Sequence, residues 1–301
     1  MFVIAYTNQT LGGYGDRIIG LISIKLISKL LNKPFYILWK KENIKKYLNY
    51  DKYDFSLIKT ENNDIRYFEL IDDQMELKNY LLNSKNLFPN DINIFKLNQE
   101  ISQYLYKNPL FTDKNYFQDI ISEYETLYSD ILAPTNFLIK KIENLTKDKS
   151  NIVGIQLRCG DCYMKNCANW HNTNNKDNII GKLLKIKYIV ERKFKKDYNI
   201  FFTTDNIEIL KILYNIFSSD KIIYNNDEIQ HLDRPALNDD ISKTFLDSFI
   251  LSQKTEMLFI SKNSNFGRIA ALSSHHNEIY DTNTGDLLVK KNLLTKGDFV
   301  F

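Results

Sequence analysis

The sequence predicts an α/β protein of two Rossmann-like domains, with the parallel sheet clearest in the C-terminal half. Three observations predict it. From Asn151 onward, short apolar runs alternate with stretches of helical period, the pattern of strands and crossover helices in a parallel sheet. The first forty residues read as one strand, loop, helix, strand unit of the same kind. And 301 residues are enough for one large domain or two of ordinary size.

In order along the chain, Phe2–Thr7 is an apolar strand and Leu11–Arg17 a glycine-rich loop. Ile18–Leu31 follows as a helix, with Ile18, Leu21, Ile22, Ile24, Leu26, Ile27, Leu30 and Leu31 near a 3.6 period. Pro34 stops it and Phe35–Trp39 is the next strand. Residues 40–130 are rich in Asn, Lys, Tyr and Asp and less legible, with short helix candidates at Met75–Leu82, Asn98–Tyr106 and Lys114–Tyr128. Pro134 opens a helix to about Lys147. The division falls in this region, giving domains 1–140 and 141–301. The second contains strands at 151–158, 199–204, 221–224, 256–260 and 277–281, and helices at 178–196, 206–217, 239–253 and 267–273. A loop at 225–238 carries His231, Asp233 and Arg234.

Composition excludes several classes. Forty Lys and Arg against thirty-seven Asp and Glu leave a formal charge of +3, too mild and too dispersed for a nucleic-acid binder. It allows at most peripheral contact with an anionic membrane surface. The opening Met1–Tyr6 lacks the basic lead of a signal peptide, and no apolar run reaches the roughly 20 residues of a membrane span. The expected location is the cytoplasm. Cys159, Cys162, Cys167 and His171 have a spacing that could in principle hold zinc, but three reduced thiols beside a strand end are the preferred reading, because the first cysteine sits at a strand end and not in a free knuckle. The site expectation is therefore no metal.

The chemistry concentrates where strands end. Ligands of α/β proteins bind at the carboxyl edge of the sheet, because helices cover its faces. The apolar run Asn151–Leu157 delivers Arg158, Gly160 and Asp161 to that edge, and the planar guanidinium suits phosphate. The alternative is an ordinary strand end with a surface salt bridge. Thr203-Thr204-Asp205-Asn206 and Ser261–Arg268 end two further strands and converge on the same edge. Ser264, Asn265 and Phe266 open a helix there, with backbone N–H groups turned toward an anion. Ser264 and Asp205 each also read as a simple helix N-cap. Gly13, Gly15 and Gly20 miss the dinucleotide-binding glycine spacing and the phosphate-loop lysine is absent, which argues against an NAD enzyme or an ATPase.

These segments resemble the fucosyltransferase superfamily of the GT-B fold, the group spanning α1,2-, α1,6- and protein O-fucosyltransferases. Gln156-Leu157-Arg158-Cys159-Gly160-Asp161 matches its H-x-R-R-G-D-like segment, and Gly13-Tyr14-Gly15-Asp16-Arg17 its G-x-G-N-[QR] loop. Thr203-Thr204-Asp205-Asn206 stands at its acidic strand end. Asp247–Ser252 followed by Ser264-Asn265-Phe266-Gly267-Arg268 matches its D-x-x-x-L-S…S-x-F stretch. Gln156 stands where the family has histidine, Cys159 where it has a second arginine, and Asp16 where it has asparagine.

The resemblance implies two domains facing a cleft and an inverting, metal-independent transfer of a sugar, typically from GDP-fucose, to a glycan hydroxyl in surface-polysaccharide building. It implies that Arg158 binds the donor's β-phosphate. Gly13, Gly15, Arg17, Gln156, Gly160, Asp161, Asp205, Ser264, Asn265, Phe266 and Arg268 become the donor-side candidates. Asp16 is the candidate general base, or else a helix-capping aspartate. Trp170 and His171 line the acceptor side or pack as surface aromatics. No cofactor is expected beyond the donor substrate. A different nucleotide sugar, or a catalytically silent nucleotide- or sugar-binding protein on the same scaffold, are the alternatives.

Overall fold

The computed structural model describes residues 1–6, 12–40, 44–60, 63–69, 74–158, 176–227, 241–276 and 278–294. The chain divides into two compact units, one built mainly on Met1–Phe137 and the other on Leu138–Gln230 with Ser242–Leu293.

The first unit starts with β1 (Phe2–Tyr6), five apolar and aromatic residues all buried. Helix α1 (Tyr14–Leu30) crosses to β2 (Phe35–Trp39). The predicted helix start at Ile18 is too late. Gly13 is the N-cap, so Gly15, Asp16 and Arg17 are already helical, because the Asp16 carboxylate accepts the Gly13 N–H at 2.9 Å and closes the first turn. The unit continues through β3 (Leu48–Asn49), β4 (Ile65–Glu69), α2 (Gln74–Asn83), β5 (Ile92–Lys96), α3 (Ser102–Tyr106), α4 (Tyr116–Glu125) and β6 (Ala133–Pro134). Its main sheet is wholly parallel, ordered β2-β1-β5-β4. Strands β4 and β5 were hidden in the illegible stretch. Pro134 does not open a helix: it pairs with Leu48 in the short β3–β6 ladder, and α5 (Asn136–Thr146) begins after it. The third helix candidate ends at Glu125 and gives way to a single π-helical turn over Leu127–Ile131.

The second unit contains β7 (Ile152–Leu157), α6 (Lys176–Phe194), β8 (Asn199–Thr204), α7 (Ile209–Ile216), β9 (Ile222–Ile223) and α8 (Ser242–Gln253). It ends with β10 (Met257–Ile260), α9 (Asn265–Leu272), β11 (Ile279–Asp281), β12 (Leu287–Leu288) and α10 (Lys290–Leu293). The sheet order is β12-β11-β10-β7-β8-β9, parallel except for β12. All six residues of β7 are buried, as expected of a strand covered on both faces. Val153, Ile155 and Leu157 pack with Ile179, Leu183, Ile186 and Val190 of α6 and Leu213 of α7 in one core. From β7 the chain winds through β8 to β9, then returns to lay β10 on the other flank of β7. This reversal makes the gap beyond β7 and β10 a topological switch point, where open α/β sheets bind ligands.

Candidate functional site

Arg158 is the first residue past β7, at the carboxyl end of that switch point. Its backbone N–H donates to Ser261 Oγ at 3.0 Å, tying the end of β7 to the turn that follows β10. Its side chain is 45% exposed, and its guanidinium pairs through Nη1 with Asp205 Oδ2 at 3.0 Å. Asp205 lies just past β8 with its side chain only 9% exposed, so the pair has a fixed anchor and a mobile-length cation reaching toward solvent. Ser261 Oγ is also within 3.2 Å of Thr282 Oγ1, beyond β11. The ends of β7, β8, β10 and β11 are therefore linked by one set of hydroxyl, amide and ionic contacts.

Gln156 belongs to this set from beneath. It is 4% exposed, and its Oε1 accepts the Ser261 N–H at 3.0 Å while its Nε2 donates to Ser264 Oγ at 3.3 Å. Ser264 is the N-cap of α9, yet its hydroxyl makes no capping bond to that helix. Asn265 and Phe266 form the first turn of α9, and Asn265 Oδ1 accepts from Arg268 Nη1 at 2.8 Å. Arg268 is 1% exposed and donates from Nε to the Leu293 carbonyl at 2.7 Å. Its guanidinium thus fastens α9 to α10 below the same strand edge.

Further polar residues near this edge carried no role in the sequence. Lys262 reaches the buried Asp281 at 3.4 Å. Beneath β8, Asp247 accepts from Thr203 Oγ1 at 2.7 Å and pairs with Lys243 at 3.1 Å, both side chains almost fully buried. Burial pushes the Asp247 carboxyl up, and Lys243 and Thr203 pull it back. Lys243 also donates to the Asn225 carbonyl at 2.6 Å. Asp247 stood in the D-x-x-x-L-S stretch and Ser261 in the loop after β10, so both were in view. Lys262, Thr282 and Asp281 gave no motif signal.

In the first unit, β1 and β5 flank a second switch point. Gly12 has φ +90°, and a Cβ there would stand 2.8 Å from the Asp16 Cβ. Gly13 caps α1, and Gly15 is buried in its first turn. Arg17 packs inside the first unit. It has no exposed surface, lies 5.9 Å from the Tyr6 ring and 5.8 Å from the Trp39 ring, and its carbonyl accepts the Tyr6 hydroxyl. It holds α1 against β1 and β2. Gly160, Asp161, the three cysteines, Trp170, His171, His231, Asp233 and Arg234 lie outside the described residues.

No protein-family model matches the sequence, and neither does any curated protein. Solved structures do match. A point mutant of Arabidopsis thaliana FUT1 in complex with GDP has a TM-score of 0.63 at 14% identity, over 93% of this chain and 70% of that one. NodZ, an α-1,6-fucosyltransferase soaked with GDP-fucose, has a TM-score of 0.60 at 13% identity, over 95% of this chain and 97% of its own. POFUT1 in complex with GDP-fucose has 0.56 at 8%, over 93% and 96%. The α/β fold with its parallel sheets is thus the GT-B-like fold of these structures.

Proposed function

We propose that this chain is a glycosyltransferase that moves a sugar from a nucleoside-diphosphate donor, GDP-fucose by likeness, to a hydroxyl of a glycan. The observation that carries the reading is Arg158. Its half-exposed side chain stands at the switch point of the second sheet, beside the Ser261–Ser264 turn, in a fold shared with structures that hold GDP or GDP-fucose. That position suits the negative charge that grows on a departing diphosphate.

In this mechanism the acceptor oxygen attacks the anomeric carbon as the bond to the β-phosphate oxygen breaks, with inversion at that carbon, and the hydroxyl proton passes to water or to the departing diphosphate. The electron pair leaves with the diphosphate. Arg158 neutralises it with a bidentate guanidinium, and the Ser264 hydroxyl adds a neutral donor. A cationic side chain takes the part that a divalent metal takes elsewhere.

Arg158→Ala is expected to lose at least about a hundredfold in turnover, the effect of removing one such contact, with its circular dichroism and thermal midpoint unchanged. Near-normal turnover would refute the assignment. Turnover assayed with GDP-, UDP-, CDP- and ADP-sugars identifies the donor and separates an enzyme from a silent binder. Prior treatment with a chelator is expected to leave the rate unchanged; a rate lost to chelator and restored by a divalent cation contradicts the metal-free mechanism.

A further inference from the structure

Gln156 is buried below the candidate donor site. Its orientation is unambiguous. The Ser261 N–H is a donor, so the atom it meets is Oε1, and the amide nitrogen must face Ser264 Oγ. A serine hydroxyl has one proton and two lone pairs. With one lone pair taken by Gln156 Nε2 and no capping bond to the N–H groups of α9 on the other, the hydroxyl is anchored by the glutamine alone, and its proton points away from the Gln156 amide. Gly267 completes the arrangement: a Cβ there would stand 2.4 Å from Gln156 Oε1, so only glycine admits the carboxamide.

We infer that Gln156 is a positioning residue, whose amide N–H fixes the Ser264 oxygen so that the hydroxyl proton is aimed at the donor diphosphate. The role rests on the proposed function, since it needs an anion at this edge. It assigns Gln156 no contact with substrate. It also accounts for the pairing of an amide at 156 with glycine at 267. An acid at 156 would still accept the Ser261 N–H but would accept the Ser264 proton as well, turning the hydroxyl inward.

The test is the dissociation constant of GDP and of inorganic pyrophosphate for Gln156→Met, Gln156→Glu, Ser264→Ala and the Gln156→Met/Ser264→Ala double variant, each with its thermal midpoint. Gln156→Met and Ser264→Ala are each expected to weaken both ligands by about tenfold, the scale of one hydrogen bond to a charged group. Gln156→Glu is expected to weaken them further. The double variant is expected to bind within about twofold of Ser264→Ala alone, because the glutamine acts only through that hydroxyl. Additive losses, or a Gln156→Glu protein that binds like the wild type, would overturn the positioning role. So would losses that merely follow the fall in thermal midpoint. Wild-type protein that binds neither ligand overturns the donor site and this role together. Binding that is abolished by Arg158→Ala and indifferent to Gln156→Met overturns the role alone.

Discussion

At the scale of single residues, the same side-chain type serves opposite ends according to burial. Arg158 keeps nearly half its surface and pairs with Asp205, whereas Arg17 and Arg268 are sealed inside their units. An ion pair with one exposed partner adds little stability, so Asp205 matters for aiming the guanidinium. Glu100 shows what burial does to an acid. Ser102 donates to it from backbone and side chain, yet desolvation pushes its pKa up to about 7. Its ordinary value is near 4.5, so between there and about pH 7 the folded chain holds a proton that the unfolded chain releases. Stability should fall as pH rises through that window, by an amount on the order of a few kcal/mol, and level off above it. Denaturant titrations at several pH values check this; Glu100→Gln should flatten the slope, and an unchanged slope would remove Glu100 as its source. Asp16 was the candidate base, and its carboxylate is bonded to the Gly13 N–H. Asp16→Asn is therefore expected to cost about 1 kcal/mol of stability and leave the turnover nearly intact, whereas a large loss of turnover would support the general-base role.

At the scale of elements, close approach decides where glycine sits. A Cβ at Gly20, in the middle of α1, would stand 2.3 Å from the Leu97 carbonyl oxygen, just past β5. Backbone cannot yield as a side chain can, so Gly20→Ala should push α1 off the sheet and cost roughly 2 kcal/mol or more. Gly181 in α6 meets nothing within 4 Å, and Gly181→Ala should instead stabilise by about 0.5–1 kcal/mol. Melting both variants beside the wild type tests the contrast, and equal shifts would contradict it. The elements themselves were unevenly legible. β7 and β8 are each built on a short apolar run, Ile152–Ile155 and Ile200–Phe202, with clear ends. β4 reads Ile65-Arg66-Tyr67-Phe68-Glu69 and lies at a sheet edge, where exposure admits charged residues and blurs the pattern. Pro134 misled because a residue without an N–H suits a short edge ladder as well as a first helical turn.

At the scale of the whole molecule, each unit carries its own parallel sheet with its own reversal of strand order, β1 against β5 and β7 against β10. Among the described residues no helix is long and apolar enough to cross a membrane. If the second sheet holds a nucleoside diphosphate, GDP should raise the thermal midpoint in proportion to the logarithm of its concentration above saturation, and a midpoint indifferent to every nucleotide would weaken the scheme. Local pattern alone determined the alternation of strands and helices, the end of β7 and hence Arg158, since hydrophobic period and turn chemistry are properties of neighbouring residues. Which strand ends meet was decided only in three dimensions. β7 lies between β8 and β10, whose segments are far apart in sequence, and that order is what brings Ser261, Ser264 and Asp205 to Arg158. Burial was decided there too, because an arginine's fate depends on what packs over it: Tyr6 and Trp39 for Arg17, and α10 for Arg268.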